Sequence, residues 1–207
     1  MGRVKNFIPI VLLAGCFLIS SCQKEIDGEI LGISGPPVVL KPKVGTEWIY
    51  LYYTYLSLNG GIHTSATIKY WAKEEKVIAG EKWLNIVETG VDTTVYLLQE
   101  KADGLYQYTN NAPYLLCKKP AVLNTSYSTF NRGAAENFTV KGVQDSLATN
   151  IGYIPVNLYE GTKAGVIADQ IWYHENAWIV RHYGFRKPPL GTITYRNTAY
   201  FLMSITY

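Results

Sequence analysis

"EWIYLYYTYLSLNGGIHTSATIKYWAKEEKVI", residues 47–78, decides the fold. Its first part, 47–58, is almost wholly aromatic and β-branched or aliphatic, the composition that suits a pleated, half-buried surface. Asn59-Gly60-Gly61 follows, and Asn and Gly are the residues that tolerate the positive φ a tight hairpin needs. The return segment places Ile62, Thr64, Ala66, Ile68 and Tyr70 on one parity, which is the period of a strand and not of a helix. The stretch therefore predicts an antiparallel hairpin.

The pattern continues outward. Ala79-Gly80-Glu81 marks a turn, "KWLNIVE" (82–88) and "TTVYLLQEK" (93–101) read as strands, and Ala102-Asp103-Gly104 turns into "LYQYT" (105–109). Turn signals at this close spacing predict an all-β domain, a mostly antiparallel meander closing as a half-barrel, barrel or sandwich. Residues 132–150 have the weakest alternation and leave room for one short helix. The second half echoes the first. "AGEKWLNIVE" (79–88) has a loose counterpart in "NIGYIPVNLYE" (150–160), and "VYLLQEKADGLYQY" (95–108) in "IWYHENAWIVRHY" (171–183). The offset drifts, so the echo suggests a duplicated meander unit and not a solenoid.

Upstream, the chain gives its address. Arg3 and Lys5 precede the apolar run Phe7–Ile19, and Ser20-Ser21 supplies small residues before Cys22. That order is a secretory signal, and the run is shorter than the about 20 residues a membrane helix needs. Ile19-Ser20-Ser21-Cys22 resembles a lipobox, the site at which bacterial lipoproteins are diacylated on Cys and cleaved. Leu13-Ala14-Gly15-Cys16 is a rival, but it would leave only Phe7–Leu12 as apolar core, below the usual length of about 7–15 residues. Gln23-Lys24-Glu25-Ile26-Asp27 resembles the Lys-plus-acidic tag of surface-exported lipoproteins of Bacteroidetes type. The expected organisation is a signal peptide over 1–21, a Gly- and Pro-rich tether over 22–46 and one β-rich domain over 47–207. The expected location is the outer membrane, lipid-anchored and on the cell surface.

With the signal removed, 17 basic and 16 acidic residues remain, a mature charge of +1. Such a balance gives no field for nucleic acid. Cys117 is then the one thiol not lost or lipidated, so no intrachain disulfide forms. Seventeen Tyr and five Trp make aromatic rings the main packing material.

Four further stretches carry a family resemblance: Val44-Gly45-Thr46-Glu47-Trp48-Ile49-Tyr50, Val77-Ile78-Ala79-Gly80-Glu81-Lys82-Trp83, Asp103-Gly104-Leu105-Tyr106-Gln107-Tyr108, and the late hairpin Tyr173 to Val180. They resemble a broad group of small Bacteroidetes-type envelope lipoproteins of unassigned activity over about residues 44–183. The resemblance implies architecture and address, and it brings no catalytic residues. Members usually carry Gly in the late hairpin, where this chain has Asn176-Ala177.

Chemistry is sparser. His174, Glu175 and His182 share one predicted hairpin and could converge with Asp169, but no metal-ligand or nucleophile-elbow spacing appears, so neither a metal nor a cofactor is expected. Glu74, Glu75, Glu88, Glu100, Asp103, Glu160 and Asp169 mostly flank turns, and nothing pairs two of them for hydrolysis. Cys117, in "YLLC", reads as core. No catalytic residue is assigned. Trp48, Tyr50 and Tyr52 share one strand face, and Ile49, Leu51, Tyr53 and Tyr55 the other, so a face beyond the core is rich in rings. "RHYGFRKPPLGTITYR" (181–196) is the most cationic and aromatic stretch, which makes Tyr183, Phe185 and Arg186 the candidate ligand-binding residues. The leading expectation is a non-enzymatic binding module for a glycan or an envelope protein partner. The alternative is a carrier of lipid or another apolar ligand in a curved β-sheet cavity, and a hydrolase stands third.

Overall fold

The computed structural model describes residues 40–56, 61–187 and 194–207. The signal segment, Cys16, Cys22 and the Asn59-Gly60 turn lie outside the described residues. Twelve strands follow one another: β1 (Glu47–Tyr55), β2 (Ile62–Ile78), β3 (Glu81–Glu88), β4 (Thr94–Lys101), β5 (Gly104–Thr109), β6 (Ala112–Lys118), β7 (Ser126–Asn131), β8 (Ala134–Thr149), β9 (Gly152–Lys163), β10 (Val166–His174), β11 (Trp178–Arg186) and β12 (Tyr195–Thr206).

All twelve belong to one antiparallel sheet in the order β6-β5-β4-β3-β2-β1-β12-β11-β10-β9-β8-β7. Two six-strand meanders are thus joined where the first strand pairs with the last, Trp48 opposite Ile205 and Tyr52 opposite Tyr200. The sheet curls into a nearly closed barrel, with β6 and β7 as its two edges. Side chains bridge that seam: the Tyr127 hydroxyl donates to the Leu116 carbonyl at 2.8 Å, and the Tyr159 hydroxyl to the Lys118 carbonyl at 2.6 Å. The echoing segments hold the same rank in each meander: 79–88 is β3 with its turn, 150–160 is β9 with its turn, and 95–108 and 171–183 are β4–β5 and β10–β11.

The alternation of β1 does what its sequence predicts. Trp48 and Tyr50 point into the core, where they meet Tyr70, Ile86, Leu98 and Trp178. β3 buries five consecutive residues, Trp83 to Val87, because both its faces are covered. On its second face Trp83 packs 5.3 Å from Tyr108, with the Lys101 ammonium 5.7 Å from its ring. Tight turns fall at Ala79-Gly80, Asn110-Asn111, Arg132-Gly133 and Ala164-Gly165, each with φ positive at both residues, the geometry that matches the twist of a hairpin. Asp103-Gly104 also turns, with Gly104 at φ +149.

No helix occurs among the described residues, and 132–150 is strand. Its alternation is weak because β8 is bent, with irregular register at Gly142 and again before Asp145, and Gln144 at φ +55. Beyond that bend β8 loses β7 as a neighbour, and β9 has no β10 partner before Asn157. The β8–β9 hairpin becomes an arm. It reaches past β11, where the Ala148 carbonyl accepts from Arg181 at 3.4 Å, to β12, where the Asn150 amide meets the Met203 sulfur at 3.1 Å. Leu147 and Ile154 of the arm join the same apolar cluster as Trp172 and Ile179.

At the other limit of the domain, residues 40–46 belong to the unit that runs from Val39 to Tyr207. Thr46 is fully buried, the Gly45 N–H donates to the Ala72 carbonyl at 2.8 Å, and Lys41 pairs with Glu100 at 3.0 Å.

Candidate binding face and interior charge cluster

The outward parity of four neighbouring strands builds a strip of rings. Trp172 (β10) lies 4.8 Å from Tyr183 (β11), Tyr183 lies 5.7 Å from Phe201 (β12), and Phe201 lies 5.8 Å from Tyr53 (β1). Tyr53 continues to Tyr55 at 6.4 Å. Two guanidinium groups lie over the strip. Arg181 is 5.1 Å from the Phe201 centroid and 5.6 Å from that of Trp172, while Arg196 is 3.9 Å from Tyr183. A guanidinium stacked on a ring is held flat. Arg181 spends one edge donor on the Ala148 carbonyl at 3.4 Å, and its other donors and those of Arg196 suit a carboxylate, sulfate or phosphate. Among the described residues, no carboxylate lies within ion-pair distance of Arg181, Arg186, Lys187 or Arg196.

Of the candidate residues from the sequence, Tyr183 and Phe185 share the outward parity of β11, while Arg186, the next residue along the strand, has the opposite parity. Phe185 is half-buried opposite Arg196 in the β11–β12 register, and Arg186 is exposed opposite Tyr195. Tyr183 keeps only 9% of its surface, because Trp172 and Phe201 flank it and Arg196 covers its ring. Around it Phe185, Phe201 and Trp172 are each half-buried and leave more ring surface open than Tyr183 does.

Inside the barrel a second constellation forms. Asp169 is 1% exposed and accepts from Arg132 Nη1 at 2.9 Å. His182 Nε2 lies 2.5 Å from the same Oδ1, and since a carboxylate only accepts, Nε2 carries the proton. The two meet because β10 and β11 pair Asp169 with Gly184 and Ile171 with His182. His174 and Glu175 lie at the far end of that hairpin, where the Asn176 N–H donates to His174 Nδ1 at 3.2 Å and burial pushes the His174 pKa down. Burial pushes the Asp169 carboxyl up, but His182 and Arg132 outweigh it and hold the carboxyl below its ordinary value.

Glu136 completes the cluster. Burial, and then the neighbouring Asp169 charge, push its carboxyl up to about 7. Its Oε2 has no hydrogen-bond partner, nor do Asn131 Nδ2 and Thr129 Oγ1 on the adjoining strand. Sequence reasoning missed Arg132 and Glu136. Their signal is two inward glycines: a Cβ at Gly161 would stand 2.7 Å from Glu136 Oε2, and one at Gly184 would strike Arg132.

The cluster opens on a slot lined by Tyr50, Tyr70, Tyr96, His182, Tyr200 and Trp178, with a volume of about 30 Å³. That is room for a water or two, not for an acyl chain or a sugar. Burial raises the Tyr50, Tyr70 and Tyr200 phenols well above their ordinary value, so all three stay neutral. Cys117 is fully buried, and burial pushes its thiol pKa up, as befits a core residue. Among the described residues, no group of three or more His, Cys, Asp or Glu side chains is placed to hold a metal ion.

No family model matches the chain. No curated protein matches it. Two solved structures are similar to it. One, from Bacteroides fragilis, is described as "a putative exported protein with YmcC-like fold". It is 10% identical at a TM-score of 0.43, with 81% of this chain and 98% of that chain covered. The other, "a putative lipoprotein" from Parabacteroides distasonis, is 13% identical at a TM-score of 0.46 with the same coverage.

Proposed function

We propose that this chain is an envelope lipoprotein, anchored to the outer membrane through Cys22 and exposed at the cell surface, that binds an acidic glycan on the outer face of β10–β11–β12–β1 without catalysing a reaction on it. The observation that carries this reading is the pair of guanidinium groups, Arg181 and Arg196, stacked on the ring strip with no carboxylate partner among the described residues. Rings suit the apolar faces of sugars, at about 0.5–1.5 kcal/mol per aromatic contact, and charge-assisted hydrogen bonds to an acidic substituent add about 1.5–3 kcal/mol each. The anchor rests on the order of charged, apolar and small residues before Cys22.

The volume of the interior slot weighs against the carrier reading, since an apolar chain needs several times that space. The buried Asp169 and Glu136 are the two carboxylates a hydrolase would call on, but the slot beside them has no room for a glycosidic bond.

Two measurements test the proposal. Cys22→Ala should move the protein from the membrane pellet to the soluble fraction, whereas unchanged pelleting together with loss in Cys16→Ala would hand the anchor to the rival box. The soluble protein should be retained on immobilised polygalacturonate and pass through dextran. Equal retention on both, or none on either, overturns the acidic-glycan reading and leaves the face to a protein partner.

A further inference from the structure

In an antiparallel meander every second turn falls at the same end. At one end of this sheet lie the entry segment 40–46, the Ala79-Gly80 and Ala102-Asp103 turns, the β6–β7 link and the β10–β11 turn. Five large apolar side chains stand out into solvent there: Leu40 and Val44 on the entry segment, Val77 at the foot of β2, and Val122 and Leu123 on the link. Each is between 45% and 69% exposed. The same end carries an open groove of about 460 Å³, walled by residues 41–43 and by Glu75, Lys82, Glu100, Lys101 and Lys119.

The position of the chain's own attachment says what covers this end. The entry segment is fixed there by the Lys41–Glu100 pair and by the Gly45–Ala72 hydrogen bond. Eighteen residue steps separate Leu40 from Cys22, at most about 60 Å of chain. A lipid on Cys22 therefore attaches the domain by this end and holds it within about 60 Å of the bilayer.

The lysines around the groove are largely neutralised. Glu100 takes Lys41 and Lys119 at 3.0 Å each, Glu75 takes Lys82 at 2.9 Å, and Glu81 takes Lys101 at 2.7 Å. Paired in this way, they offer aliphatic stems to an interface more than they offer net charge. We propose that the entry end of the barrel rests directly on the lipid surface, with Leu40, Val44, Val77, Val122 and Leu123 in the headgroup–acyl boundary, and that the contact is apolar and indifferent to anionic lipid. This rests on the Cys22 anchor. It orients the barrel so that the glycan face stands along the side, clear of the membrane.

A thiol reporter tests it in the full lipidated protein. Cys22 carries lipid and Cys117 is fully buried, so a label reacts only at an introduced Cys. Leu123→Cys and Val77→Cys report on the entry end, and Val91→Cys, 63% exposed, on the opposite end. The label is an environment-sensitive fluorophore, and the vesicles are phosphatidylcholine, with and without phosphatidylglycerol. The expected result is quenching by brominated acyl chains of at least twofold at positions 77 and 123 and none at 91, in both vesicle types. Equal quenching at all three positions, quenching at 91 alone, or a strict need for phosphatidylglycerol overturns the proposal. Failure of the labelled protein to float with vesicles overturns the anchor itself. Flotation with every reporter in water overturns only the docking.

Discussion

Glu136 is a carboxylate that its fold buries. It sits in the barrel beside Asp169 with one oxygen unpartnered, and its carboxyl titrates near 7 instead of 4.5. Between those values the folded chain holds a proton that the unfolded chain has released, so stability falls as pH rises through that window. The full effect is on the order of 3 kcal/mol. Glu136→Gln should flatten the slope between pH 5 and 8 and raise the melting temperature at pH 8. A pH profile by thermal melting that is unchanged in the variant would contradict this placement. Asp169, held low by His182 and Arg132, acts in the opposite sense and loses its contribution only in acid, as pH falls through its folded pKa. Half of this cluster is legible in the sequence. Asp169 and His182 share a hairpin, so their meeting follows from local pairing. Arg132 and Glu136 come from β7–β8, and only the β8-β9-β10 order, through Phe138 opposite Gly161 and Gly161 opposite Asp169, brings them across.

At the scale of elements, alternation is readable where one face is core, as in β1, and fades where it is not. β3 is buried on both faces, so its period is masked, yet its length and turns still identify a strand. β8 hides differently, since its irregular register shifts the parity mid-strand and mimics the absence of pattern. The late hairpin, where Asn176-Ala177 replaces the expected Gly, is closed by Trp178 at φ +61, a conformation a bulky side chain rarely adopts. Trp178 is held there by stacking on Trp48 at 5.9 Å, while the Trp48 N–H donates to the Ala177 carbonyl at 3.0 Å. Ala79 has a similar strain without that compensation, at φ +51 ahead of Gly80. Ala79→Asn should therefore stabilise the domain by up to about 1 kcal/mol, since Asn-Gly is the preferred pair for this turn. Thermal melting should rise by about 2–4 °C, and a fall would mean that the turn is not of the assigned type.

Seen whole, the molecule is one sheet of two six-strand halves that share a pattern. Meander, turns and all-β class follow from the sequence. The pairing of β1 with β12 does not, because it joins residues more than 140 positions apart and no local signal specifies it. The same closure assembles the ring strip, since Tyr53 and Tyr55 come from the first strand, and Trp172, Tyr183 and Phe201 from the last three. "RHYGFRK" lies along β11 of that strip, but the strand that completes the strip from the other end of the chain could be found only in three dimensions. The central claim is that Arg196, exposed and stacked on Tyr183, pairs with an acidic sugar. Calorimetric titration of an oligogalacturonate into the wild-type protein and into Arg196→Gln tests it most directly. The account predicts at least tenfold weaker binding by the variant, a loss of about 1.4 kcal/mol, with melting within about 4 °C of wild type. Equal affinity in the two proteins, or no heat of binding in the wild type, would contradict it.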